Sequence, residues 1–389
     1  MVYVTIGEKT IKNICIVGGG NVGHYFLAAF GKNENVSMRL LSSTPGVFGN
    51  RIESFDVTKD ELTVGKLDKV SADPAEVIAD ADMIIFTAPS NSYISLLKKI
   101  YPYTAEGTVI GFVPGTGGVE FLARDFIVNK KCPIFGTQRV PSGTKVVQKG
   151  TRVESLGNRK DIRIAGIPGS ITKDVCRMFE MLMGIHSVAL PNYLDVAFTP
   201  SNPILHTSRL YGLFHDYRDG DSWDEKLAFY SNWDDISSET LIGADAELQA
   251  CCRVLDRYDL SECLSLKDHY EIYDGTPGET DVQKMTNKIR KLRYLKDYAP
   301  MCQNADGKWI PDFSTRYFTE DFPFGLCLLE NYCKICGVNA LTMQKIIAWV
   351  KAFISINYAC MPIPENYGLK SIDDIYRYFN ELESCFVSA

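Results

Sequence analysis

The sequence lacks any run of lysine and arginine that would follow a nucleic-acid backbone. Its 389 residues carry 41 basic and 48 acidic side chains, which gives a formal net charge of -7 at pH 7. Proteins that bind nucleic acid concentrate positive charge on one face or along one helix. The composition therefore argues against a nucleic-acid partner.

Long apolar runs are missing as well. The longest candidate, Ile346 to Ile363, is broken by Lys351 and Asn357, and its pattern indicates an amphipathic core helix rather than a membrane span. The first twelve residues lack the basic start and apolar centre of a secretory signal. We therefore expect a cytoplasmic protein with no membrane partner.

The sequence also lacks a recognisable set of metal ligands. Its 12 cysteines are scattered along the chain, as is typical of free buried thiols in a reducing compartment. Cys333 and Cys336 have the C-x-x-C spacing, but no second such pair and no paired histidines accompany them. Because a structural zinc site normally needs four ligands, we expect no metal site.

The length and patterning of the chain indicate two domains. A chain of 389 residues exceeds a typical single domain. Residues 1–190 are predicted to form an α/β Rossmann domain with a doubly wound sheet, because short apolar runs alternate with helical patterns up to about residue 170. Residues 191–389 show long helical periodicities, which predict a mainly α-helical domain for substrate binding and catalysis.

A glycine-rich turn organises the first domain. Gly18, Gly20 and Gly23 occupy the G-x-G-x-x-G frame between an apolar strand and a helix that opens with Asn21 and Val22. In this frame the first glycine permits the turn, the second lets backbone approach a pyrophosphate, and the third allows close packing of helix and strand. The turn therefore predicts a dinucleotide site, whereas a plain glycine-rich hairpin is the alternative.

The end of the second strand bears on the choice of cofactor. In NAD-binding domains an acidic residue about twenty positions past the glycines binds the ribose 2′-hydroxyl. Here the predicted strand, Val36 to Leu41, is followed by Ser42 and Ser43. Hydroxyl groups can donate hydrogen bonds to a 2′-phosphate, and Arg39 or Arg51 could supply charge. We therefore favour NADP, with NAD possible, although these serines could simply form a turn.

Two further strand ends should border the cofactor. One strand runs out into Ala88 and Pro89, and another into Pro114. Ligands of doubly wound sheets lie outside the carboxyl ends of the strands, so these short loops suit a close approach of nicotinamide. Ordinary strand-ending turns are the alternative.

The rest of the first domain has shorter β-like pieces. Pro133 to Phe135, Thr144 to Val147 and Asp161 to Ala165 are predicted to extend the sheet of this domain. Thr172 to Met183 is its predicted last helix, and Ser187 to Leu190 its exit strand. The helices predicted for the second domain are Pro203 to Phe214, Ile236 to Tyr258, Thr280 to Lys296, Phe322 to Cys336, Leu341 to Ile356 and Ser371 to Phe379.

A polar segment opens the first helix of the second domain. Ser201 or Asn202 can cap this helix, and Pro203 suits its first turn. His206 then lies within the first helical turns, where it could act as a base. A lone histidine in such a place is more often structural.

A second polar segment surrounds Arg316 and Asp321. Asp321 could simply cap the helix that contains Pro323, and Arg316 could be a surface ion-pair partner. However, the segment is strongly aromatic, and desolvation there would make an arginine–carboxylate contact specific and an Asp–His hydrogen bond orienting.

Together these motifs resemble the opine dehydrogenases, the octopine and nopaline dehydrogenase family. The resemblance covers nearly the whole chain and is greatest to the bacterial metallophore-synthesising branch, typified by staphylopine dehydrogenase. It rests on the Gly18 to Gly23 turn, the strand end at Pro114, the segment from Asn202 to His206, and the segment from Arg316 to Leu326.

The resemblance implies a reaction and roles for residues. The family condenses the amine of an amino acid with an α-keto acid and reduces the resulting imine with NAD(P)H. His206 matches the family's acid–base histidine, Asp321 its orienting acid, and Arg316 the arginine that holds a substrate carboxylate. We expect Asn202 and Gln138 to contact substrate as well, and a homodimer is plausible from the apolar helical surface.

The sequence departs from the family at two positions that bear on the substrate. Ser90 to Tyr93 stand where many relatives have a histidine, and Gly136 to Arg139 replace a more acidic stretch. These departures leave the amino acid and the keto acid open. Two other functions are also open, namely a ketopantoate or glycerol-phosphate type of reductase and a non-catalytic module that senses dinucleotides.

Overall fold

The architecture is taken from a computed structural model, which describes residues 4–199, 201–255, 279–291 and 299–387. The chain divides into two compact units. One comprises Met1–Ala197 and Tyr376–Ala389, and the other comprises Phe198–Ile375. The sequence places the domain boundary between residues 190 and 191, and that division stays a prediction.

The first unit holds most of the described strands. Its strands are β1 Val4–Ile6, β2 Lys9–Ile11, β3 Asn13–Val17, β4 Ser37–Leu41, β5 Arg51–Asp56, β6 Glu61–Lys66, β7 Lys69–Ser71, β8 Met83–Phe86, β9 Val109–Phe112, β10 Ile134–Thr137, β11 Thr144–Gln148, β12 Arg152–Ser155, β13 Asp161–Ile167 and β14 His186–Ala189. Its helices are α1 Asn21–Gly31, α2 Pro74–Val77, α3 Tyr93–Ile100, α4 Val119–Leu122, α5 Arg124–Lys130, α6 Thr172–Met183 and α7 Leu194–Ala197.

An eight-stranded sheet forms the centre of this unit, in the order β14-β13-β10-β9-β8-β3-β4-β7. The strands from β10 to β7 are parallel, and β13 pairs antiparallel with β10. β3, β8 and β9 are buried along their length, as their continuous apolar sequences require in a sheet that is covered on both faces. The predicted Rossmann-like doubly wound fold is confirmed.

A second sheet corrects one sequence prediction. β11, β12, β5 and β6 form a separate four-stranded sheet, whereas Thr144 to Val147 was expected to extend the central sheet. That expectation is wrong because β11 pairs only with β12, and β12 pairs in parallel with β5. β11 keeps most of its side chains exposed, so its sequence carries little of the apolar signal that marks the central strands.

The second unit is mainly helical, as predicted. Its elements are α8 Ser201–Phe214, α9 Asp235–Val254, α10 Val282–Arg290, β15 Met301–Gln303, β16 Trp309–Pro311, α11 Arg316–Thr319, α12 Cys327–Ile335 and α13 Leu341–Val350. The last helix, α14, spans Ile372–Ser384, and from Tyr376 onward it belongs to the first unit. The predicted helix ends at Tyr258 and Lys296 lie outside the described residues. No helix among the described residues is long and apolar enough to cross a bilayer.

Two predicted helices differ in detail. The helix expected from Phe322 to Cys336 starts with a π-helical turn, Phe322–Leu326, before α12. The helix expected to end at Ile356 ends at Val350. α8 begins at Ser201, two residues before the predicted start, so its capping position falls at residue 200, outside the described residues.

Candidate active site

The predicted cofactor residues meet at one edge of the central sheet. The register pairs Val17 with both Leu41 and Phe86, and Phe86 with Phe112. The residues that follow these strands are therefore neighbours at the carboxyl edge. They include Gly18, Ser42, Ala88, Pro89 and Pro114.

The glycines of the turn have separate structural reasons. Gly18 has φ +115, and a Cβ there would lie 2.9 Å from the backbone nitrogen of Ala88. A Cβ at Gly23 would lie 2.0 Å from the carbonyl oxygen of Gly18, so helix α1 can approach the strand end only without one. Apart from the adjoining backbone, a Cβ at Gly20 would meet no atom of the described residues within 4 Å. The space in front of Gly20 is open, as the backbone approach of a pyrophosphate requires.

The start of α1 matches the other requirement of a phosphate site. Gly20 caps the helix with extended backbone and no side-chain hydrogen bond, so Asn21 and Val22 begin the helix with free backbone N–H groups. A helix start of this kind attracts anionic groups. The backbone geometry at the start of α1 therefore fits a dinucleotide phosphate.

Side chains of α1 contact β11 and the turn that follows it. The Asn21 Oδ1 accepts a hydrogen bond from the backbone N–H of Val146 at 2.9 Å. The Nε2 of His24 accepts one from the N–H of Gly150 at 2.8 Å, and the Nδ1 contacts the carbonyl oxygen of Gly20, also at 2.8 Å. Nε2 is therefore unprotonated and Nδ1 donates. Sequence reasoning missed this role of His24.

Burial lowers the pKa of His24. Its side chain is inaccessible to solvent, and desolvation is the largest effect on its pKa. The hydrogen bond to Gly20 opposes that effect, and the positive charge of Lys149 adds to it. The neutral ring is the only form that satisfies both of its backbone partners.

The structure corrects the expected charges near the second strand end. The Arg39 guanidinium forms an ion pair with Asp80, with Nη2 2.8 Å from Oδ2, close to the amino ends of the strands. Arg51 lines a cavity together with Asn13 and Ser37, which are also amino-end residues. Both arginines therefore lie at the opposite edge from Ser42, and the expectation that one of them charges the 2′-phosphate site is wrong.

Ser42 and Ser43 remain at the carboxyl edge. The Ser42 side chain is buried and accepts a hydrogen bond from the N–H of Thr44 at 3.2 Å. Ser43 is exposed. The loop is thus held partly by Ser42, and the Ser43 hydroxyl faces solvent.

The strand ends at Thr87 and Pro114 are fixed by hydrogen bonds to neighbouring strand ends. The Thr87 hydroxyl donates to the carbonyl oxygen of Gly18 at 2.9 Å, which ties the Ala88–Pro89 loop to the glycine turn. The N–H of Val113 donates to Phe86 at 3.0 Å. Both small loops are therefore part of the same edge as the glycine turn.

Gln138 lies at the carboxyl end of β10 and is buried. Its Nε2 donates to the carbonyl oxygen of Asp195 at 2.8 Å. This contact ties β10 to helix α7 inside the first unit. The predicted substrate contacts Arg316 and Asn202 belong to the second unit, so the sequence-predicted substrate set is divided between the two units.

In the second unit, the structure pairs His206 with Asp321. The Nδ1 of His206 lies 2.8 Å from the Oδ2 of Asp321, and both side chains are buried, with 6% and 8% of their surface exposed. Asp321 makes no capping hydrogen bond to the turn that follows it. The alternative role of Asp321 as a helix cap is therefore wrong, because its carboxylate is directed to the imidazole.

The fold brings these two residues together through a close approach of backbone. A Cβ at Gly325 would lie 2.4 Å from Cγ of Pro203, so the π-helical turn can pack against the start of α8 only with glycine there. The turn is wide, since the N–H of Leu326 donates to the carbonyl oxygen of Asp321 five residues earlier. π-Helical turns of this kind are frequent at functional sites.

Aromatic rings surround the imidazole of His206. The ring of Tyr317 lies 4.7 Å from it, and that of Phe229 lies 5.5 Å from it in an edge-to-face arrangement. The fully buried Arg209 fixes the loop that carries Phe229, because its Nε donates to the carbonyl oxygen of Phe229 and its Nη1 contacts Asp234 at 2.6 Å. The His206–Asp321 pair, called the dyad below, is thus packed among aromatic side chains and largely shielded from solvent.

Arg316 and Asn202 are exposed. Neither side chain has a hydrogen-bond or ion-pair partner within the described part of the chain. The guanidinium of Arg316 is therefore available to an external carboxylate. Arg316 directly precedes Tyr317, whose ring contacts that of His206. The alternative role of Arg316 was a surface ion pair, and no acidic side chain among the described residues forms one with it.

Within the described ranges, no group of three or more histidine, cysteine, aspartate or glutamate side chains could hold a metal ion. Cys333 and Cys336 are both buried. Cys336 and Cys251 share a hydrogen bond that lowers the pKa of Cys336. These contacts describe packed thiols.

Comparisons with known proteins match both units. Residues 189–354 match the family model described as NAD/NADP octopine/nopaline dehydrogenase, alpha-helical domain. The chain is 27% identical to an opine dehydrogenase of Haliotis discus hannai, over 92% of this chain and 97% of the relative. It is 25% identical to an octopine dehydrogenase of Pecten maximus, over 94% and 98%.

Two solved structures share the fold. An octopine dehydrogenase in complex with NADH and agmatine superposes with a TM-score of 0.80 at 22% identity, covering 94% of this chain and 97% of the other. A yersinopine dehydrogenase with NADP+ bound has a TM-score of 0.64 at 14% identity, covering 96% and 98%. Both carry a nicotinamide dinucleotide, one of each kind.

Proposed function

Because the chain belongs to the opine dehydrogenase family, we propose that it condenses an amino acid, or an amine-bearing metallophore precursor, with an α-keto acid and reduces the imine. The observation that carries the proposal is the buried His206–Asp321 pair beside the exposed Arg316. All three residues lie within the segment that the family model matches.

The first unit holds the cofactor in this proposal. The open backbone at Gly20 and the N–H groups of Asn21 and Val22 bind the pyrophosphate, and the loops at Ala88, Pro89 and Pro114 border the nicotinamide. When bound, the reduced dinucleotide supplies a hydride to the imine carbon. The remaining chemistry belongs to side chains of the second unit.

His206 moves protons in the proposed reaction. Asp321 accepts the Nδ1–H hydrogen bond, which fixes the ring and leaves Nε2 to exchange protons with the substrate. Nε2 first takes a proton from the attacking amine and then returns one to the hydroxyl that leaves as water. The balanced reaction converts a primary ammonium, a keto acid, NAD(P)H and one proton into a secondary ammonium, water and NAD(P)+.

Arg316 binds a substrate carboxylate. A guanidinium can donate two parallel hydrogen bonds to a carboxylate, which fixes the direction in which the carbonyl carbon faces. We assign this role to Arg316 because its exposed side chain has no competing partner in the described residues. Asn202, exposed at the start of the same helix as His206, is a second proposed substrate contact.

Gln138 is the remaining proposed substrate contact. It lies at the carboxyl edge where the nicotinamide is expected, but its amide already ties β10 to Asp195. We propose that Gln138 acts chiefly by holding this edge in place. The side chain would then position substrate through the backbone that it fixes.

We further propose that the cofactor is NADP. The support is the absence of a carboxylate after β4 and the exposed hydroxyl of Ser43. Without Arg39 and Arg51, the preference over NAD rests on the hydroxyls alone. Titration with both reduced nucleotides measures it directly.

Location and assembly complete the proposal. We propose a cytoplasmic enzyme because the cysteines of the described residues are free thiols, as in a reducing compartment. A homodimer is proposed from the apolar side chains that the helical unit exposes, of which Leu341 is the most exposed at 63%. Sedimentation velocity at several protein concentrations would distinguish a dimer from a monomer.

The test of the function is a screen of NADPH and NADH oxidation. Pyruvate, glyoxylate and 2-oxoglutarate are each paired with a panel of amino acids and amine-bearing metallophore precursors, and each keto acid is also assayed alone. The proposal requires oxidation that depends on the amine and yields a secondary amine product by mass spectrometry. Oxidation without amine would support a keto acid reductase, and binding without any turnover would support a sensing module.

A further inference from the structure

Tyr317 occupies a position in the helical unit that the proposed mechanism does not use. It follows Arg316 directly in helix α11, and its ring lies 4.7 Å from the ring of His206. Its hydroxyl is also close enough to the charges of Arg316 and Asp321 for both to affect its ionisation. Tyr317 therefore lies close to both the proposed carboxylate-binding cation and the proton-transferring pair.

The ring of Tyr317 is held on two sides. Besides His206, Phe229 contacts it with ring centroids 5.4 Å apart. Phe229 is itself fixed through its backbone by Arg209, whose Nε lies 2.5 Å from the Phe229 carbonyl oxygen. The ring has little freedom to rotate away, so the hydroxyl group is kept in one place.

The hydroxyl has no hydrogen-bond partner among the described residues. The side chain is half-buried, so its ring is packed while its hydroxyl can still be reached from solvent. Burial raises the pKa of Tyr317, Arg316 lowers it and Asp321 raises it, with burial the largest effect. At neutral pH the hydroxyl therefore stays protonated and can donate a hydrogen bond.

We propose that the Tyr317 hydroxyl donates a hydrogen bond to the same keto acid carboxylate that Arg316 binds, which makes Tyr317 a determinant of keto acid recognition. The inference rests on the proposed function. Arg316 supplies charge-assisted hydrogen bonds to the carboxylate, and a second donor on a fixed ring strengthens the binding of substrates that carry one. Tyr317 thereby favours keto acids over carbonyl compounds that lack a carboxylate.

The test variant is Tyr317→Phe, which removes the hydroxyl and keeps the ring contacts with His206 and Phe229. Its matched control is Tyr211→Phe, a half-buried tyrosine on α8 whose ring lies 5.4 Å from that of His215. We expect the KM for the keto acid to rise about tenfold or more in Tyr317→Phe, as for the loss of a hydrogen bond to a charged group. The kcat, the KM for the amine and the affinity for NADPH should change by less than about threefold, which is within the context dependence of such contacts.

A carbonyl substrate without a carboxylate separates recognition from packing. With propanal in place of pyruvate, Tyr317→Phe and the unmodified protein should react at similar rates, because the lost contact has no partner. A purely structural role predicts the same change for both substrates, or no change at all. Either result overturns the inference, as does a KM effect confined to the amine.

Binding measurements keep the inference independent of turnover. Isothermal titration of pyruvate into the protein with saturating NADPH should show weaker binding to Tyr317→Phe and unchanged binding to Tyr211→Phe. If the unmodified protein binds pyruvate in this way but turns over no amine and keto acid pair, the proposed function fails and the role of Tyr317 stands. If pyruvate binds equally to both variants, the role of Tyr317 fails whatever the turnover.

Discussion

Asp321 directs its carboxylate to the Nδ1 of His206, 2.8 Å away, although it stands at the start of a helical turn where aspartate usually caps the backbone. The pair is separated by 115 positions in the chain. The close approach of Gly325 to Pro203 makes the contact possible. In the proposed mechanism this contact orients the imidazole for the proton transfers.

The dyad leads to a prediction for Asp321→Asn and His206→Ala. In Asp321→Asn the neutral amide no longer stabilises a protonated imidazole, and in His206→Ala the ring is removed. Each variant should therefore lower kcat by about a hundredfold or more. NADPH affinity should stay within about twofold, since the glycine turn is built from the first unit alone. Steady-state kinetics and fluorescence titration of NADPH measure the two effects. Unchanged turnover in both variants would remove the dyad from the mechanism.

Arg316→Gln should raise the KM for the keto acid by about a hundredfold, because a charge-assisted bidentate contact is lost. Arg253→Gln is the matched control, since Arg253 is also an exposed arginine of the helical unit without a described partner. The control should behave like the unmodified protein. Equal kinetic constants for the two variants would show that Arg316 does not bind substrate.

Ser43→Asp tests the choice of cofactor. A carboxylate after β4 should repel a 2′-phosphate and accept the hydrogen bond of a 2′-hydroxyl. We expect NADPH affinity to fall about tenfold or more and NADH affinity to stay equal or rise. Ser43 is exposed, so the substitution should leave the fold intact. Parallel losses for both nucleotides would mean that the ribose lies elsewhere.

The buried His24 should make stability depend on pH. Its folded pKa is lowered from 6.5, so the unfolded chain binds the proton more readily than the folded one. The stabilisation is therefore fully present above pH 6.5 and is lost as the pH falls below that value. Urea unfolding at pH 7.5 and 5.5 should show a larger loss for the unmodified protein than for His24→Gln. Identical pH dependence would show that His24 is not linked to folding.

The sequence is informative where a local pattern has a single structural meaning. The glycine turn, the apolar strands β3, β8 and β9 and most helices of the second unit follow from spacing and composition. The four-stranded sheet does not, because β11 is mostly exposed and its pairing is non-local. Arg39 illustrates the same limit, since nothing in its neighbours along the chain reveals the ion pair with Asp80.

In the candidate site, too, the sequence predicts the residues but not their contacts. Residue types marked His206, Asp321 and Arg316, and the family resemblance gave them roles, but spacing could not show that His206 and Asp321 touch. The contact of His24 with Gly150 has no pattern at all, because Gly150 lies 126 positions away and donates through its backbone. The sequence does not distinguish Tyr317 from the other aromatic residues, because only the fold shows that its ring contacts His206.

Two glycine substitutions test where the dinucleotide binds. Apart from the adjoining backbone, the methyl group that Gly20→Ala adds would meet no atom of the described residues within 4 Å, so the fold should tolerate it. The same methyl group occupies the space through which a pyrophosphate approaches the backbone, so the affinity for NADPH and NADH should fall about tenfold or more. Gly23→Ala places its Cβ 2.0 Å from the carbonyl oxygen of Gly18 and must displace helix α1, so it should lose both stability and binding. Thermal unfolding and nucleotide titration of the two variants separate these effects. Normal nucleotide affinity in a stable Gly20→Ala protein would place the pyrophosphate away from this turn, because the added methyl group would then not contact the nucleotide.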